Sequence, residues 1–256
     1  MTIIDLNADL GEGFGVYTLG NDEEIIPLIS SANIACGFHA GDPLIMKNTV
    51  EHALENDTAV GAHIAYPDLW GFGRRHISMD EDALYSFLLY QLGSLHAFLR
   101  ANGAKMRHVK PHGVLYTEAA SDEMLSEIIC EVIMDFDKTL TIFAPAGSVT
   151  ANTARIKGLP VANEGFADRA YNPDGTLVSR NEPGAVLHDP DLIARRALKM
   201  TENRIPVGED DHLEMKVDTI CLHGDTPSAL TIARKVKEYL QDARVNIRPV
   251  GDCDER

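Results

Sequence analysis

Short apolar runs alternate with longer segments of helical periodicity along most of the chain. Each run is closed by polar residues or glycine, a pattern typical of parallel strands that are buried on both faces. The pattern predicts seven strands, over residues 3–6, 33–36, 59–63, 108–110, 140–144, 161–163 and 219–223.

The clearest of the intervening helices is predicted over residues 79–101, where leucines recur at helical spacing. Ser78 and Glu81 fit a capping box at its start, and Asn102-Gly103 is a stop signal at its end. Prolines that suit the first turn of further helices stand at Pro43, Pro190 and Pro227.

About seven β/α units follow one another without a proline-, glycine- or serine-rich linker. We therefore predict an α/β fold, a single-domain (β/α) barrel of about seven parallel strands over residues 1–250. A doubly wound open sheet is the alternative, because a sequence does not show closure. Residues 167–189 interrupt the alternation with a turn-rich excursion, which we interpret as a hairpin.

Composition and charge narrow the function classes. The 256 residues include 23 Lys and Arg against 39 Asp and Glu, so the formal charge is 23 − 39 = −16. Such a surface repels nucleic acid and anionic membranes, and no apolar run approaches the roughly 18–20 residues of a membrane span. The four cysteines show no CxxC spacing, which argues against a zinc ribbon or a thioredoxin motif. We expect a cytoplasmic protein with reduced thiols that binds neither nucleic acid nor a membrane.

Polar side chains follow most of the predicted strands directly. In β/α folds the carboxyl ends of the strands form the rim where active sites are built. Four histidines on four different units converge there with three carboxylates, and together they predict a functional pocket. These residues are His39, His63, His112 and His223, with Asp9, Asp42 and Asp225. Asp9 with His39 and His63 is a candidate ligand set for a divalent metal, since imidazole and carboxylate suit zinc, manganese or iron.

Charged residues add candidate chemistry to this rim. Asp9 and Glu12 form a carboxylate pair that suits acid and base roles, or else a turn cap. Lys110, at a strand end, suits polarising a carbonyl or pairing with a carboxylate. Arg74, Arg75 and Arg169 suit the bidentate binding of a small carboxylate. The chain has no P-loop, no GxGxxG fingerprint and no GxSxG elbow.

Seven segments in a fixed order resemble one known family. They are DLNADLGEGFG (5–15), SANIACGFHAGDP (31–43), GAHIAYPD (61–68), GFGRR (71–75), VKPHGVLY (109–116), EGFADRAY (164–171) and ICLHGD (220–225). Together, from residue 5 to about residue 250, they resemble the LamB/YcsF family. The tail at 251–256 matches nothing in this pattern, and we expect it to be disordered.

The resemblance implies a seven-stranded barrel of the glycoside hydrolase/deacetylase class. It also implies the role of the A subunit in a bacterial ATP-dependent 5-oxoprolinase. That enzyme converts 5-oxo-L-proline, ATP and water into L-glutamate, ADP and phosphate, and it needs partner subunits B and C. Because the chain lacks a P-loop, we expect most of the ATP site on a partner.

Residue roles follow as expectations. Catalytic roles are expected for Asp9, Glu12, His39, His63, Lys110 and His112. Substrate-binding roles are expected for Asn7, Asp42, Arg74, Glu164, Arg169, His223 and Asp225. Two alternatives stay open at this point, a stand-alone metal-dependent deacetylase or amidase, and a non-catalytic subunit that binds the substrate.

Overall fold

Seven parallel strands close into a barrel in the computed structural model, which describes residues 2–180, 182–208, 211–222 and 228–251. The strands are β1 (Ile3–Leu10), β2 (Ser31–Ala35), β3 (Ala59–Ile64), β4 (His108–Pro111), β5 (Thr141–Pro145), β6 (Val161–Phe166), β7 (Arg204–Val207), β8 (Asp211–Glu214), β9 (Thr219–Leu222) and β10 (Asn246–Ile247). The barrel runs from β1 through β6 in order, and β9 completes it by pairing with both β6 and β1. The closed barrel that the sequence predicts is confirmed, and the alternative of a doubly wound open sheet is wrong.

Helices cover the outside of this barrel. They are α1 (Asp22–Ile25), α2 (Pro43–Glu55), α3 (Glu81–Ala101), α4 (Gly113–Ala119), α5 (Glu123–Asp137), α6 (Val149–Lys157), α7 (Pro190–Thr201) and α8 (Ala229–Asp242). A short β10 extends the sheet beside the start of β1, and β7 and β8 form a separate antiparallel hairpin. No helix in the described part of the chain is both long and apolar enough to cross a bilayer.

Side-chain alternation along β1 explains why the barrel holds polar chemistry. Ile4, Leu6, Ala8 and Leu10 belong to the apolar core that the strands share with the helices. Asp5, Asn7 and Asp9 occupy the alternate positions and point inward, since successive strand residues face opposite sides. The parallel register sets Asp9 beside Asn33 and His63 beside Lys110. The barrel interior is therefore largely polar, where most such barrels are filled with branched apolar residues.

Several local predictions need correction. Strand β1 extends to Leu10 rather than ending at residue 6, so Asp9 lies in the strand and not in a loop. Helix α3 begins at Glu81 and is capped by Asp80, whose carboxylate accepts from the amide of Ala83. The predicted capping box of Ser78 and Glu81 is wrong, because Asp80 occupies the cap position of α3.

Two segments between β6 and β9 also differ from expectation. The excursion at 167–189 has isolated antiparallel bridges, at Arg169–Val186 and Tyr171–Leu177, but no regular hairpin among its described residues. The true hairpin is β7–β8, which the sequence pattern did not suggest. The predicted helix start at Pro227 and the tail residues 252–256 lie outside the described residues.

Candidate active site

A pocket of about 590 Å³ opens at the carboxyl ends of the barrel strands. Seven of the residues predicted for the site line it, namely Asp9, Glu12, His63, Arg74, Lys110, His112 and Arg169. Its volume lies within the range of small-molecule sites.

Lys110 is the central charge of the pocket floor. Its Nζ lies 2.9 Å from Asp9 Oδ1 and 2.9 Å from Glu164 Oε1, and it also contacts Asn7 Oδ1 and Cys221 Sγ. Burial alone would lower the pKa of Lys110, but Asp9, Cys221 and Glu164 outweigh it and raise that pKa well above its usual value. Lys110 is therefore a fixed ammonium whose donors are already used by the protein.

Asp9 is the partner of Lys110 that reaches the pocket surface. Burial would raise the pKa of Asp9, but His63 and Lys110 hold it well below its usual value. The Oδ1 atom accepts from Lys110 and from Asn33 Nδ2, while Oδ2 lies 3.2 Å from His63 Nε2. Asp9 is thus an ionised carboxylate with one oxygen directed at a histidine.

A hydrogen-bond network supports this ion pair from below. Asn7 Nδ2 donates to Glu164 Oε1 at 2.9 Å and to Thr219 Oγ1 at 2.7 Å, while Asn7 Oδ1 accepts from Asn33. Thr219 in turn donates to Asp5 at the opposite end of the barrel. The predicted substrate-binding residues Asn7 and Glu164 lie in this network, buried beneath the pocket, and neither lines it.

Three histidines and one carboxylate cluster beside Asp9. The residues Glu12, His39, His63 and His112 each offer one ligand atom, and all four atoms lie within 4.8 Å of one another. His39 stacks on His112 with a ring-centroid distance of 3.8 Å. Asp9, which the sequence placed in the candidate ligand set, is not one of the four.

Backbone carbonyls fix the orientation of two of these rings. His63 Nδ1 lies 3.0 Å from the carbonyl oxygen of Lys110, and His112 Nε2 lies 2.9 Å from that of Phe72. Because a carbonyl oxygen only accepts, both of these nitrogens carry a proton. The remaining nitrogens, His63 Nε2 and His112 Nδ1, face each other at 2.9 Å.

Two rings of the cluster, His39 and His112, are held neutral. Burial, followed by the electrostatic influence of the His63 ring, keeps the pKa of His39 well below its usual value. Burial, followed by His39 and His63, does the same for the pKa of His112. Neutral imidazoles offer lone pairs, which are what a metal ion or an acidic proton requires.

Two arginines form part of the pocket wall. Arg169 is 5% exposed, and it donates to the carbonyl oxygens of Ala185 and Val178 in the excursion. It therefore also anchors the loop that walls the pocket. Arg74 is exposed, and its guanidinium lies 5.0 Å from the centroid of the Phe72 ring.

The remaining predicted residues lie elsewhere. Asp42 is outside the pocket lining, and its carboxylate accepts from the amides of Leu44, Ile45 and Gly15, capping α2. His223 and Asp225, which are also predicted to bind substrate, lie outside the described residues.

Among the residues that sequence reasoning missed are Tyr116, Cys221 and His108. Tyr116 donates to Glu164 Oε2, and Cys221 contacts Lys110. His108 Nε2 donates to Asn33 Oδ1 at 2.7 Å beneath the pocket. A signal existed for each, because Tyr116 lies one helical turn after His112 and the other two lie on inward strand positions.

Comparisons with known proteins agree with this geometry. The family model of the LamB/YcsF family matches residues 4–255. A relative from Thermococcus onnurineus (strain NA1), named as the A subunit of 5-oxoprolinase, is 49% identical over 97% of this chain and 98% of its own length. A crystal structure of a lactam utilization protein from Thermus thermophilus has a TM-score of 0.92 and 42% identity, over 96% of this chain and 99% of that one.

The fold extends to more distant proteins. A family 4 carbohydrate esterase from Streptomyces lividans has a TM-score of 0.52 at 10% identity, over 98% of this chain and 93% of that chain. This likeness concerns the fold alone.

Proposed function

The chain belongs to the LamB/YcsF family, and from that premise we propose that it is the A subunit of an ATP-dependent 5-oxoprolinase. The observation that carries the proposal is the near full-length identity of 49% to a relative that bears this name. The name of that relative implies further subunits. In this proposal they are subunits B and C, which carry most of the ATP site.

The proposed reaction opens a five-membered lactam with water. 5-Oxo-L-proline, ATP and two water molecules give L-glutamate, ADP and phosphate. The lactam amide is stabilised by resonance, so its carbonyl needs activation, for which we propose phosphorylation of the amide oxygen. An anionic substrate with a carboxylate suits a pocket whose wall includes Arg74 and Arg169.

Asp9 is the proposed proton acceptor for the attacking water. It lines the pocket, and its Oδ2 lies 3.2 Å from His63 Nε2 while its Oδ1 accepts from Lys110 and Asn33. An ionised carboxylate at the pocket surface can take a proton from water.

Lys110 has a different role from the polarising group expected from sequence. Because its donors already contact Asp9, Glu164, Asn7 and Cys221, it has no N–H to spare for a substrate oxygen. We propose that it balances the two buried carboxylates, so that Asp9 stays ionised when substrate fills the pocket. Cys36, Cys130 and Cys221 are free and buried, which supports work in a reducing compartment such as the cytoplasm.

The proposal is tested by co-expressing the chain with candidate subunits B and C. We expect glutamate and ADP to be released one-to-one from 5-oxoproline by the complex, and neither by the isolated chain. Hydrolysis of N-acyl substrates by the isolated chain without ATP would instead establish an autonomous amidase or deacetylase.

Asp9→Asn tests the site within that complex. The asparagine still accepts from Asn33 and Lys110, so the fold should persist while the turnover falls by about 10²-fold or more, as for other lost acid–base groups. His76→Gln is the matched control, because His76 pairs with Glu118 on the exposed rim outside the pocket lining. Near-native turnover of Asp9→Asn would remove Asp9 from the mechanism.

A further inference from the structure

Four electron-rich atoms converge on one point of the pocket floor. The fixed proton positions of His63 and His112 leave lone pairs on the two nitrogens that face each other at 2.9 Å. Asp9 Oδ2 adds a negative oxygen 3.2 Å from the same His63 nitrogen, and Glu12 Oε1 adds another beside them. Lone pairs this close repel one another unless a proton or a metal ion lies between them.

A bridging proton would form one hydrogen bond between two of these atoms, but the cluster has more members. Glu12 Oε1 lies 3.1 Å from His39 Nε2, 3.6 Å from His112 Nδ1 and 4.0 Å from His63 Nε2. Ligand atoms that share a zinc-sized ion at its usual bond lengths of about 2.0–2.2 Å lie about 3–4 Å apart. The three distances from Glu12 Oε1 match this spacing, and all four ligand atoms lie within 4.8 Å of one another.

The hydrogen bonds of two of the three rings are typical of metal-binding histidines. Histidines that bind metals usually donate their other ring N–H to a carbonyl or carboxylate, which fixes the tautomer. His63 and His112 do so, through Lys110 and Phe72. His39 is 1% exposed, and its Nδ1 has no hydrogen-bond partner among the described residues.

We propose that Glu12, His39, His63 and His112 bind one divalent transition-metal ion. Three imidazoles and one carboxylate suit zinc, manganese, iron or cobalt. Glu12, His63 and His112 line the pocket, whereas His39 lies behind them, so a further coordination position faces the pocket. This is the open arrangement of catalytic rather than structural sites.

Asp9 is not a ligand in this proposal. Its Oδ1 is held by Lys110 and Asn33, and its carboxylate compensates the added positive charge from beside the cluster. The inference rests on side-chain geometry, so it stands independently of the reaction proposed above. A bound ion would supply Lewis-acid polarisation of a substrate oxygen.

The test is direct metal binding to the full chain, without a polyhistidine tag and without partner subunits. After chelation and dialysis, Zn²⁺, Mn²⁺ and Co²⁺ are titrated separately by calorimetry. We expect one ion per chain, and an affinity at least about 100-fold weaker in Glu12→Gln and in His63→Gln. His76→Gln, which alters an exposed histidine–glutamate pair, should bind as the unmodified chain does.

A second measurement avoids reliance on variants that fail to fold. Co²⁺ bound to the unmodified chain should give visible d–d bands and hyperfine-shifted ring N–H resonances from three histidines. The absence of saturable binding of all three ions at millimolar metal would overturn the proposal. So would binding that Glu12→Gln and His63→Gln leave unchanged while circular dichroism shows both folded. Because neither measurement uses 5-oxoproline or ATP, a failure here is distinct from a failure of the proposed reaction.

Discussion

Asp5 is a carboxyl buried at the end of the barrel opposite the pocket. It is 1% exposed and accepts from Ser30 Oγ at 2.6 Å, from Ser31 Oγ at 2.7 Å and from Thr219. Burial is the largest influence on this group and raises its pKa from 3.8 to about 6, against the three hydroxyl donors. The folded chain therefore binds this proton more tightly than the unfolded chain does.

The sign of the pH effect follows from this difference. Stability from Asp5 is fully present below pH 4 and is lost as the pH rises through about 6, because ionisation of the buried group then opposes folding. A rise of about 2 in pKa corresponds to about 3 kcal/mol. Relative to the unmodified chain, Asp5→Asn should gain up to about 3 kcal/mol in the free energy of unfolding between about pH 4 and pH 8. Urea denaturation at both pH values measures this gain, and a difference between the two proteins that does not change with pH would contradict it.

At the same scale, the sequence located the pocket residues but not their partners. His39, His63, His112 and Lys110 could be placed together because strand ends converge in β/α folds. That Lys110 contacts Asp9 and Glu164 depends on the barrel register and on side-chain rotamers, which no spacing along the chain encodes. For the same reason the ligand cluster contains Glu12 where spacing had suggested Asp9.

At the scale of elements, all seven barrel strands were predictable from apolar runs, and closure was not. The strands are short, so hydrophobicity marks their centres, while their ends depend on pairing. β1 shows this, because its inward positions are polar and break the apolar run after Leu6. The β7–β8 hairpin was missed because most of its residues are partly or fully exposed and carry no apolar alternation.

Strand β3 has a glycine that the neighbouring strand requires. A methyl group at Gly61 would overlap the ring of His108. That ring cannot retreat, because it stacks on Phe143 at a centroid distance of 4.1 Å and donates to Asn33. Gly61→Ala should therefore lower the free energy of unfolding by about 3 kcal/mol, at the upper end of the usual cost of overpacking.

Gly93→Ala is the matched control for that substitution. Gly93 lies within α3, is exposed, and has no atom within 4 Å of an added methyl group. Alanine is the better helix former, so this variant should be more stable by up to about 1 kcal/mol. Thermal and urea unfolding of the two variants measure the contrast. Equal effects would mean that His108 can move aside.

At the scale of the whole molecule, exposed apolar side chains gather at the pocket end of the barrel. The loop after β1 exposes Val16 and Tyr17, at 92% and 76%, and the loop after β3 exposes Leu69 and Trp70. Both loops follow the carboxyl ends of strands that contribute to the pocket. With a net charge of −16, the chain should also associate with a basic partner surface more weakly as salt increases.

Trp70 makes the proposed assembly measurable. It is the only tryptophan of the chain and is 97% exposed, so the isolated chain should emit as a solvated indole, with little change in wavelength on unfolding. Subunits that activate a substrate for this pocket have to approach its open end, where they exclude water from the rim. Adding tryptophan-free variants of the partner subunits should therefore shift the Trp70 emission to shorter wavelengths. Trp70→Phe is the control that removes the signal. An unchanged spectrum in a complex verified by size-exclusion chromatography would place the partners on another face of the barrel.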